Sequence, residues 1–575
     1  MKKLLTVLLI AAMMLSTCTV FALTDASAET ASVDISDYFS KRDLSGEWDE
    51  SKAVYVDLNG QTGLDITEAG TYVLSGSMNG TVTVNAGDSD KVQLVLNGVD
   101  ITAAYAAAIC VENADKTFIT LAEGSENRLT VSAFEEAAEI DAAIFSRDDI
   151  TLNGSGSLTI VSAGHGIVGK DDLKITGGTY SISAEGRGID ANDSVRIAGG
   201  DITVVSEKDA IRAKSDESDK GYLLIAGGVF SLTAGGGAAN GETHTDDMMR
   251  SFRGGWGQTV TTDDGTANGK GLKASGEIIV LDGDITVDAA DDALHADGDL
   301  TVYGGTLRVL SGDDGLHAGN ALTVNGGVIA VSQSYEGLEA AAVTINGGDI
   351  SVTASDDGIN SSGGNDQSGY WRNDMFASDG SSITVNGGTV YINAQGDGID
   401  SNGDLYVNGG AIVVSGPTNS GNGALDYNGS AVITGGTVIA AGAAGMAENF
   451  GSSSAQVTFM TSLNGSAGTI VVSDAAGNTL LSGTVEKSFQ CLVVSSPDLK
   501  VGETYTVSCG GSAVQVTPSA VVSGGGTGMG GFSGFGGGPG YMGGGWQNGG
   551  ESNGQIPNDI GQTQWTGRDG HGWHR

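Results

Sequence analysis

The chain contains few of the residues that build helical or disulfide-framed domains. Only five of its 575 residues are proline, four are cysteine, and 6% are aromatic. Four cysteines are too few for disulfides to frame a chain of this length, and no CxxC or Cys/His spacing for zinc occurs. Cys491 and Cys509 flank a hairpin-like stretch and could pair, which would leave Cys110 buried and free.

Positive charge is also scarce. The 27 Lys and Arg residues stand against 70 Asp and Glu residues, for a formal net charge of −43. Nucleic acids and anionic membranes attract Lys and Arg through their phosphates, so this balance argues against both as partners. It permits either a solvated acidic surface or a cation that neutralises clustered carboxylates.

Glycine, by contrast, occurs 95 times, together with many Asp, Ala, Ser, Thr, Val and Ile residues. Val, Ile and Thr suit a pleated backbone and Gly suits tight turns, so this mixture favours many short strands. Disorder is the competing interpretation of so much glycine and charge. The regular spacing of apolar residues argues against disorder.

The N-terminus predicts export. Two lysines precede an apolar run over residues 4–15, which is too short to span a bilayer. The small residues at 26–28 form a cleavage motif, so residues 1–28 are predicted to be a signal peptide and the protein to be secreted or associated with the cell surface. Lipidation at Cys18 is an alternative. No second apolar segment reaches membrane length.

A repeat of about 22 residues organises most of the chain. Each unit contains three short pieces of period-2 alternation punctuated by glycine, which is typical of strands that bury one face. In the unit that begins at Leu300, the residues predicted to face inward are Leu300, Val302, Leu307, Val309, Leu316 and Ala318. Such units bury these faces only when stacked, with parallel strands about 4.8 Å apart. The predicted fold is therefore an all-β, right-handed parallel β-helix with three strands per coil.

The repeat also predicts the domain boundaries. An N-terminal β cap is expected over 29–90, the β-helix over 91–451, a C-terminal β cap or small domain over 452–519, and a Gly-rich disordered tail over 520–575. An Asn precedes several of the Gly-Gly turns, and stacked Asn side chains predict a hydrogen-bonded ladder. These residues are Asn325, Asn346, Asn386 and Asn408.

Acidic residues recur at the second turn of each coil. In-register stacking would place five of them in one column: Asp292, Asp314, Glu336, Asp357 and Asp397. His317 lies between the inward Leu316 and Ala318, so it must face outward, in a row shared by His295, Glu339, Asn360, Asp400 and Asp426. Carboxylates stacked about 4.8 Å apart repel by roughly 1 kcal/mol per pair even when solvated, and Ca²⁺ is the natural compensating cation. The predicted calcium ligands are Asp291, Asp292, Asp313, Asp314, Glu336, Asp356, Asp357, Asp397 and Asp400. A solvated acidic edge is the alternative.

Basic residues occupy the equivalent positions of earlier coils, where they could bind the carboxylates of acidic sugars or simply pair with neighbouring acids. Two insertions near this face, over 235–269 and 361–382, carry aromatic residues that could stack on sugar rings. The predicted substrate-binding residues are Arg187, Arg212, Lys270, Lys273, His295, His317, Trp256, Tyr370 and Trp371. If the protein is a lyase, Arg212 or Lys273 would serve as the base.

Several segments resemble a known family. They are residues 91–102, 143–158, 170–178, 195–200 and 499–505. In these segments the chain is similar to clostridial secreted carbohydrate-binding proteins whose fold is that of polysaccharide lyases. The resemblance implies a right-handed parallel β-helix, bound calcium, and affinity for cellulose or for acidic polymers such as pectin.

We therefore predict a secreted, calcium-binding, non-catalytic protein that recognises polysaccharide. One alternative is a calcium-dependent polyuronate lyase that acts by β-elimination. The other is a surface adhesin or structural solenoid. A β-helix does not by itself decide between these, because one fold hosts many functions.

Overall fold

A computed structural model describes residues 34–135, 139–241, 269–362 and 378–525. Within these ranges, every regular element is a β-strand except two single-turn 3-10 helices, Ile35–Asp37 and Ala238–Asn240. Neither of these two described helices has the length or the apolar character needed to cross a membrane.

Parallel pairing dominates the main sheet, where most strands pair with the strand three places later in the chain. Ile150–Gly154 pairs with Asp172–Ile175, and Ser157–Ser162 pairs with Thr179–Ala184. These pairings sort the strands into three rows, called here row A, row B and row C.

Row A starts at Val54–Asp57, which pairs with the first half of Gly70–Asn79, and continues with the first half of Lys91–Ala103. It also includes the second halves of Leu316–Val324 and Leu338–Ile345. Its other strands are Lys116–Leu121, Ile150–Gly154, Asp172–Ile175, Ser194–Ile197, Tyr222–Ile225, Ile278–Val280, Leu300–Val302, Ser382–Val385, Asp404–Val407 and Ala431–Ile433.

Row B follows the second halves of Gly70–Asn79 and Lys91–Ala103. Its strands are Glu126–Val131, Ser157–Ser162, Thr179–Ala184, Asp201–Ser206, Val229–Ala234, Asp284–Ala289, Thr306–Ser311, Val328–Gln333, Asp349–Ala354, Thr389–Ala394, Ala411–Ser415 and Thr437–Gly442.

Row C includes the first halves of Leu316–Val324 and Leu338–Ile345. Its other strands are Leu64–Ile66, Val82–Asn85, Ile109–Asn113, Ala142–Ser146, His165–Gly169, Ile189–Ala191, Ile211–Ala213, Leu272–Ala274, Leu294–Ala296, Ile359–Ser361, Ile399–Ser401 and Leu425–Tyr427.

Antiparallel pairing begins beyond the last strand of row B. Thr437–Gly442 pairs antiparallel with Phe489–Ser495, which also pairs with Thr458–Gly465, and Val522–Ser523 joins the latter in parallel. A separate four-stranded antiparallel sheet contains Thr479–Val485, Gly468–Ser473, Tyr505–Cys509 and Ser512–Val516. The protein is thus all-β and dominated by one large, mainly parallel sheet that is compatible with a β-solenoid, which confirms this much of the predicted fold.

The possible Cys491–Cys509 disulfide is not formed. Cys491 lies in a strand of the main sheet and Cys509 in a strand of the smaller sheet, and both are free and buried. Cys110 is also free and buried. Cys491 and Cys509 are separated because their strands belong to different sheets, although the two residues flank a hairpin-like stretch in the sequence.

The period-2 alternation becomes a continuous core. Leu300, Val302, Leu307 and Leu316 are each 0% exposed, as the inward positions of the repeat predict. A single cluster of buried apolar side chains extends from Leu58 through the coils. Burying one such side chain stabilises the fold by about 1.5–3 kcal/mol. Stacked coils therefore gain a hydrophobic stabilisation that a single coil, with its faces exposed, does not have.

The predicted asparagine ladder is also present. The Asn346 amide donates to Asn325 Oδ1 at 2.9 Å, Asn386 donates to Asn346 at 2.8 Å, and Asn408 donates to Asn386 at 2.9 Å. Each amide therefore donates to its equivalent in the preceding coil, which fixes the register at the turn that follows row A.

The turn that enters row C accepts only small residues. A Cβ on Gly358 would lie 2.2 Å from Ile392 Cγ2 and 2.6 Å from the Gly398 carbonyl oxygen. Ala293 and Ala424 occupy the same position in other coils. Close approach of one coil to the next therefore sets the residue size here.

We expect Gly358→Val to lower the free energy of unfolding by about 1–3 kcal/mol, because its branched side chain overpacks this turn. Gly511→Val is the matched control, since nothing lies within 4 Å of a Cβ at Gly511. The midpoints of chemical denaturation report the difference. Equal midpoints for the two variants would contradict the packing argument.

Candidate functional site

Row C carries a continuous line of outward side chains, called here the functional row. Its members pair successively from coil to coil: Asp190, Arg212, Lys273, His295, His317, Glu339, Asn360, Asp400 and Asp426. The residues on either side of His317, Leu316 and Ala318, are buried in the core. The strand register therefore contains the row that the repeat predicts.

A second line of residues, called here the acidic column, consists of Asp292, Asp314, Glu336, Asp357 and Asp397. Each member lies two positions before the buried residue that begins a strand of row C. The side chains of the column hold the turns together. The Asp314 N–H donates to Asp292 Oδ1 at 3.0 Å, and the Asp397 N–H donates to Asp357 Oδ1 at 2.5 Å. The Gly423 N–H donates to Asp397 Oδ1 in the same way. This ladder to the backbone was not predicted from the sequence.

The column is not a solvated edge along its whole length. Asp292 is 2% exposed and Asp314 is 6% exposed. A buried carboxylate is costly unless hydrogen bonds or opposite charges compensate it. What surrounds each member therefore decides its chemistry.

Bases neutralise the acids of the first coils. Arg187 contacts Asp209 at 3.0 Å, and Arg212 donates to both oxygens of Asp190 at 2.7 and 2.9 Å. Lys273 lies between Arg212 and His295 in the functional row, and no ion pair joins it to any described residue. Of these predicted sugar-binding bases, Lys273 is therefore the one whose charge is not already paired.

Lys270 and His295 neutralise the first acids of the column. The Lys270 ammonium lies 2.9 Å from Asp291 and 2.7 Å from Asp292, and its side chain is 7% exposed. His295 bridges Asp292 at 2.6 Å and Asp297 at 2.9 Å. Burial alone would raise the pKa of Asp292, but Lys270 and His295 hold that pKa well below its usual range. Asp292 is therefore an ionised, compensated carboxylate.

One coil later, His317 offsets its neighbouring acids only in part, because burial, Asp313 and Glu339 raise the pKa of Asp314 well above its usual range. Its Nδ1 lies 3.0 Å from Asp314 and 2.6 Å from Glu339. The rings of His295 and His317 stack with centroids 4.6 Å apart. Burial alone would lower the pKa of His317, but the hydrogen bonds to Asp314 and Glu339 raise it well above its usual range. His317 is thus held as an imidazolium between two acids.

Among the described residues, Asp357, Asp397 and Asp400 have no basic partner of this kind. Ligand oxygens of Asp357, Asp397 and Asp400 lie within 4.8 Å of one another, and no basic side chain of the described residues forms an ion pair with them. Burial and the neighbouring carboxylates raise the pKa of Asp357 and Asp400 well above its usual range, and raise that of Asp397 to about 7. A cluster of buried carboxylates is stable only when it binds protons or a cation.

An orphaned oxygen lies on the same stretch of the row. Asn360 is 8% exposed, and its amide donates to Glu336 Oε2 at 2.8 Å. Its Oδ1 is buried and finds no hydrogen-bond donor among the described residues. In register, Asn360 lies directly beside Asp400. This buried acceptor without a donor is a second sign that a cation belongs here.

Glu448 extends this acidic stretch and was missed from the sequence. Its Oε2 is buried without a partner in the described structure, and burial together with Asp426 raises its pKa to about 7. Glu448 follows the last recognisable repeat unit, so no periodic signal indicated it. Asn360 was predicted to lie in the functional row but not to be a calcium ligand, because a periodic pattern predicts where a residue lies and not whether its side chain lacks a hydrogen-bond partner.

The remaining predicted site residues have simpler outcomes. Asp313 and Asp356 immediately precede column members, as Asp291 does. Trp256, Tyr370 and Trp371 lie outside the described residues, so their predicted contact with sugar stays a prediction.

Comparison with known proteins identifies the family. The model of the carbohydrate-binding domain-containing proteins matches residues 60–315 and 314–530. The two matches cover well over half of the chain, which therefore belongs to this family, as the resemblance of its repeat segments implied. The family supports carbohydrate binding as the general function.

Two individual proteins are similar to parts of the chain. A carbohydrate-binding domain-containing protein of Acetivibrio thermocellus is 42% identical over 120 residues, which are 20% of this chain and 42% of that protein. The chain thus matches less than half of the length of this relative. A solved structure of the polysaccharide lyase-like protein from C. thermocellum, a gadolinium derivative, is 26% identical with a TM-score of 0.35, and the match covers 47% of this chain and 96% of that chain.

The uncompensated acids predict how stability depends on pH. In a chelator, we expect the melting temperature to fall by several degrees between about pH 5 and pH 8. The carboxyls of Asp357, Asp397 and Asp400 have raised pKa values in the folded state, so folding retains protons that the unfolded chain releases. Their stabilising contribution is complete below the unfolded pKa and is lost as pH rises through the folded pKa.

Thermal melts in EDTA across this range are the measurement. Asp400→Asn removes one of the repelling carboxylates and should flatten the curve, whereas Asp349→Asn, at an exposed position in row B, should leave it unchanged. A melting temperature that rises steadily to pH 8 in EDTA would show that these carboxyls do not retain protons in the folded state.

Proposed function

We propose that this chain is a secreted, non-catalytic protein that binds polysaccharide and holds Ca²⁺ in the acidic stretch of its functional row. We further propose that its rows form a right-handed parallel β-helix with three strands per coil, closed by β caps. The observation that carries the functional proposal is the functional row itself, which aligns charged side chains along one line of a carbohydrate-binding family member.

The residues around Asp400 fit calcium. Two oxygens that bind one Ca²⁺ at about 2.4 Å can be no more than about 4.8 Å apart, and those of Asp357, Asp397 and Asp400 meet this limit. One oxygen of Asp357 and one of Asp397 accept backbone N–H groups, so each carboxylate keeps a second oxygen for a cation. The orphaned Asn360 Oδ1 is the kind of neutral oxygen that Ca²⁺ also accepts.

The other predicted calcium ligands fit less well. Lys270 already lies between Asp291 and Asp292, and His317 lies between Asp314 and Glu339. Asp313 and Glu336 border these two environments, whereas Asp356 lies beside Asp357, Asp397 and Asp400, whose pKa values it helps to raise. The proposal therefore assigns calcium to the later coils and leaves the earlier ones to the protein's own bases.

The same division suggests how a polysaccharide is held. Lys273 offers an ammonium group from the earlier part of the row, and a bound Ca²⁺ would supply positive charge in the later part. Sugar hydroxyls and the carboxylates of acidic sugars are ligands that both can accept. We therefore propose acidic polymers such as pectin as the preferred ligands, with cellulose as the neutral alternative.

We expect the purified protein to bind Ca²⁺ in isothermal titration calorimetry at about pH 8, where protons compete less with the metal at Asp397. The double variant Asp357→Asn/Asp400→Asn should weaken this binding at least tenfold, because it removes two of the three clustered carboxylates. Asp349→Asn is the matched control and should bind like the parent protein. Equal calcium binding by the double variant would remove this site.

We also expect polygalacturonate to retain the protein in affinity electrophoresis with calcium, and much less in EDTA. Lys273→Gln should weaken retention several-fold without altering the calcium titration, while Lys500→Gln, at an exposed C-terminal position, should not. Release of unsaturated uronate during incubation would instead support the alternative of a calcium-dependent lyase. Retention by neither polygalacturonate nor cellulose would contradict the proposed function.

A further inference from the structure

A second group of metal-ligating side chains lies earlier in the functional row than Asp400. It consists of the His317 imidazole and the carboxylates of Asp314 and Glu339, whose ligand atoms all lie within 4.8 Å of one another. Asp314 belongs to the turn before row C, His317 to the strand that follows, and Glu339 to the next strand of row C. Stacking of the coils is therefore what brings the three groups together.

The contacts within this group are short but incomplete. The Nδ1 atom of His317 lies 3.0 Å from Asp314 and 2.6 Å from Glu339, so both acids contact the same nitrogen. An imidazole nitrogen carries one hydrogen at most, and one hydrogen cannot make a full bond to two carboxylates. One of the two acids is therefore left without a complete partner at this nitrogen.

His295, one coil earlier, is a fully partnered histidine of the same row. Its Nδ1 lies 2.6 Å from Asp292 and its Nε2 lies 2.9 Å from Asp297, so each nitrogen has an acid of its own. In the coil of His317, Gly319 occupies the position that corresponds to Asp297. The two histidines therefore have different surroundings, although they are neighbours in the row.

Negative charge exceeds positive charge around His317. Burial and the carboxylates of Glu339 and Asp314 raise the pKa of Glu336 well above its usual range, so a third acid belongs to this environment. In the described part of the chain, no Lys or Arg forms an ion pair with any of these three acids, and His317 is the one basic side chain that does. A divalent ion in place of the proton on Nδ1 would add one positive charge.

Groups around the three side chains fix their orientation. The Ser362 hydroxyl donates to Glu339 Oε1 at 3.1 Å, and the other oxygen, Oε2, contacts His317. The rings of His295 and His317 stack with centroids 4.6 Å apart and 4° between their planes. Asp314 and Glu339 are buried, whereas the His317 side chain is 24% exposed and reaches solvent. Contacts of this kind hold ligands in place around a metal.

The types of ligand atom select the class of metal. An imidazole nitrogen with carboxylate oxygens suits Zn²⁺ and other first-row transition metals, whereas Ca²⁺ takes oxygen ligands. The ligand atoms of a tetrahedral Zn²⁺ lie about 3.4 Å apart, so each carboxylate would move away from Nδ1 by less than about 1 Å. Three protein ligands leave a fourth position for water or a sugar oxygen.

Another group that contains His317 fits a metal less well. It combines His317 with Asp292 and His295. The Lys270 ammonium already lies 2.7 Å from Asp292, and a second cation beside it would be repelled. The surroundings therefore favour the group with Asp314 and Glu339.

We propose that Asp314, His317 and Glu339 form a second metal site, which binds a divalent transition metal such as Zn²⁺ and not Ca²⁺. Binding releases the proton of His317 Nδ1 to solvent and leaves the imidazole proton on Nε2. This inference goes beyond the proposed function and does not depend on it. The site uses none of the carboxylates proposed for calcium, so the two sites can be tested separately.

The test is isothermal titration calorimetry of the full chain with ZnCl₂ while calcium is in excess, so that the calcium cluster is occupied. We expect zinc to bind, and His317→Gln and Glu339→Gln each to weaken zinc binding at least tenfold. His165→Gln changes a histidine in an earlier strand of row C; it is the matched control and should bind like the parent protein. Zinc should also raise the melting temperature of the parent protein but not that of His317→Gln, because a ligand stabilises only a state that binds it.

The remaining outcomes are distinguishable. Zinc binding that His317→Gln leaves unchanged would assign the metal to other residues, such as His571 and His574, and would overturn this site. Glu339→Gln keeps the size of the side chain, so it carries the test if His317→Gln does not fold. If zinc fails to bind while calcium still binds, this inference is wrong and the proposed function survives.

Discussion

Parallel register is the constraint on which the rest of this molecule depends. Adjacent strands lie about 4.8 Å apart, so equivalent residues of successive coils cannot avoid one another. At Gly358 the next coil leaves no space for a larger side chain, and at Asn346 and Asn386 the amides bond to their own equivalents. Apolar positions gain from this enforced contact because they merge into one core. Ionised positions must be compensated.

The acidic column shows two forms of compensation. Backbone N–H groups donate to one oxygen each of Asp292, Asp357 and Asp397, and this compensation requires no further side chain. Bases then offset the charge where they are available: Lys270 holds the pKa of Asp292 low, whereas His317 offsets the charge of Asp314 only in part. Beyond Asn360 no base is available among the described residues, and carboxylates with raised pKa values remain. The boundary between these stretches, and not acidity alone, defines the candidate metal centre.

The sequence predicted positions far better than partners. Because the repeat is periodic, it was sufficient to place His317, Glu339 and Asp400 on one line, and to predict an all-β fold with a largely parallel sheet. The sequence could not predict which acid pairs with Lys270, because that pairing depends on side-chain conformation. Contacts that cross an insertion or return from the N-terminus also escape periodicity: Lys270 bonds to Asp209 across 61 residues, and Lys174 meets Asp43 across 131.

Charge along the functional row changes from mixed to acidic, and this constrains any acidic ligand. A polyuronate lying along the row would be attracted near Lys273 and repelled near Asp400 and Asp426 in the absence of a cation. Under the proposed function, bound calcium turns the repulsion near Asp400 and Asp426 into attraction. The binding of the polymer and the binding of calcium are then linked by one coupling free energy. Such coupling is reciprocal: by whatever factor calcium tightens the polymer, the polymer must tighten calcium. A metal that served only to hold the coils together, without touching the ligand, would show no such coupling.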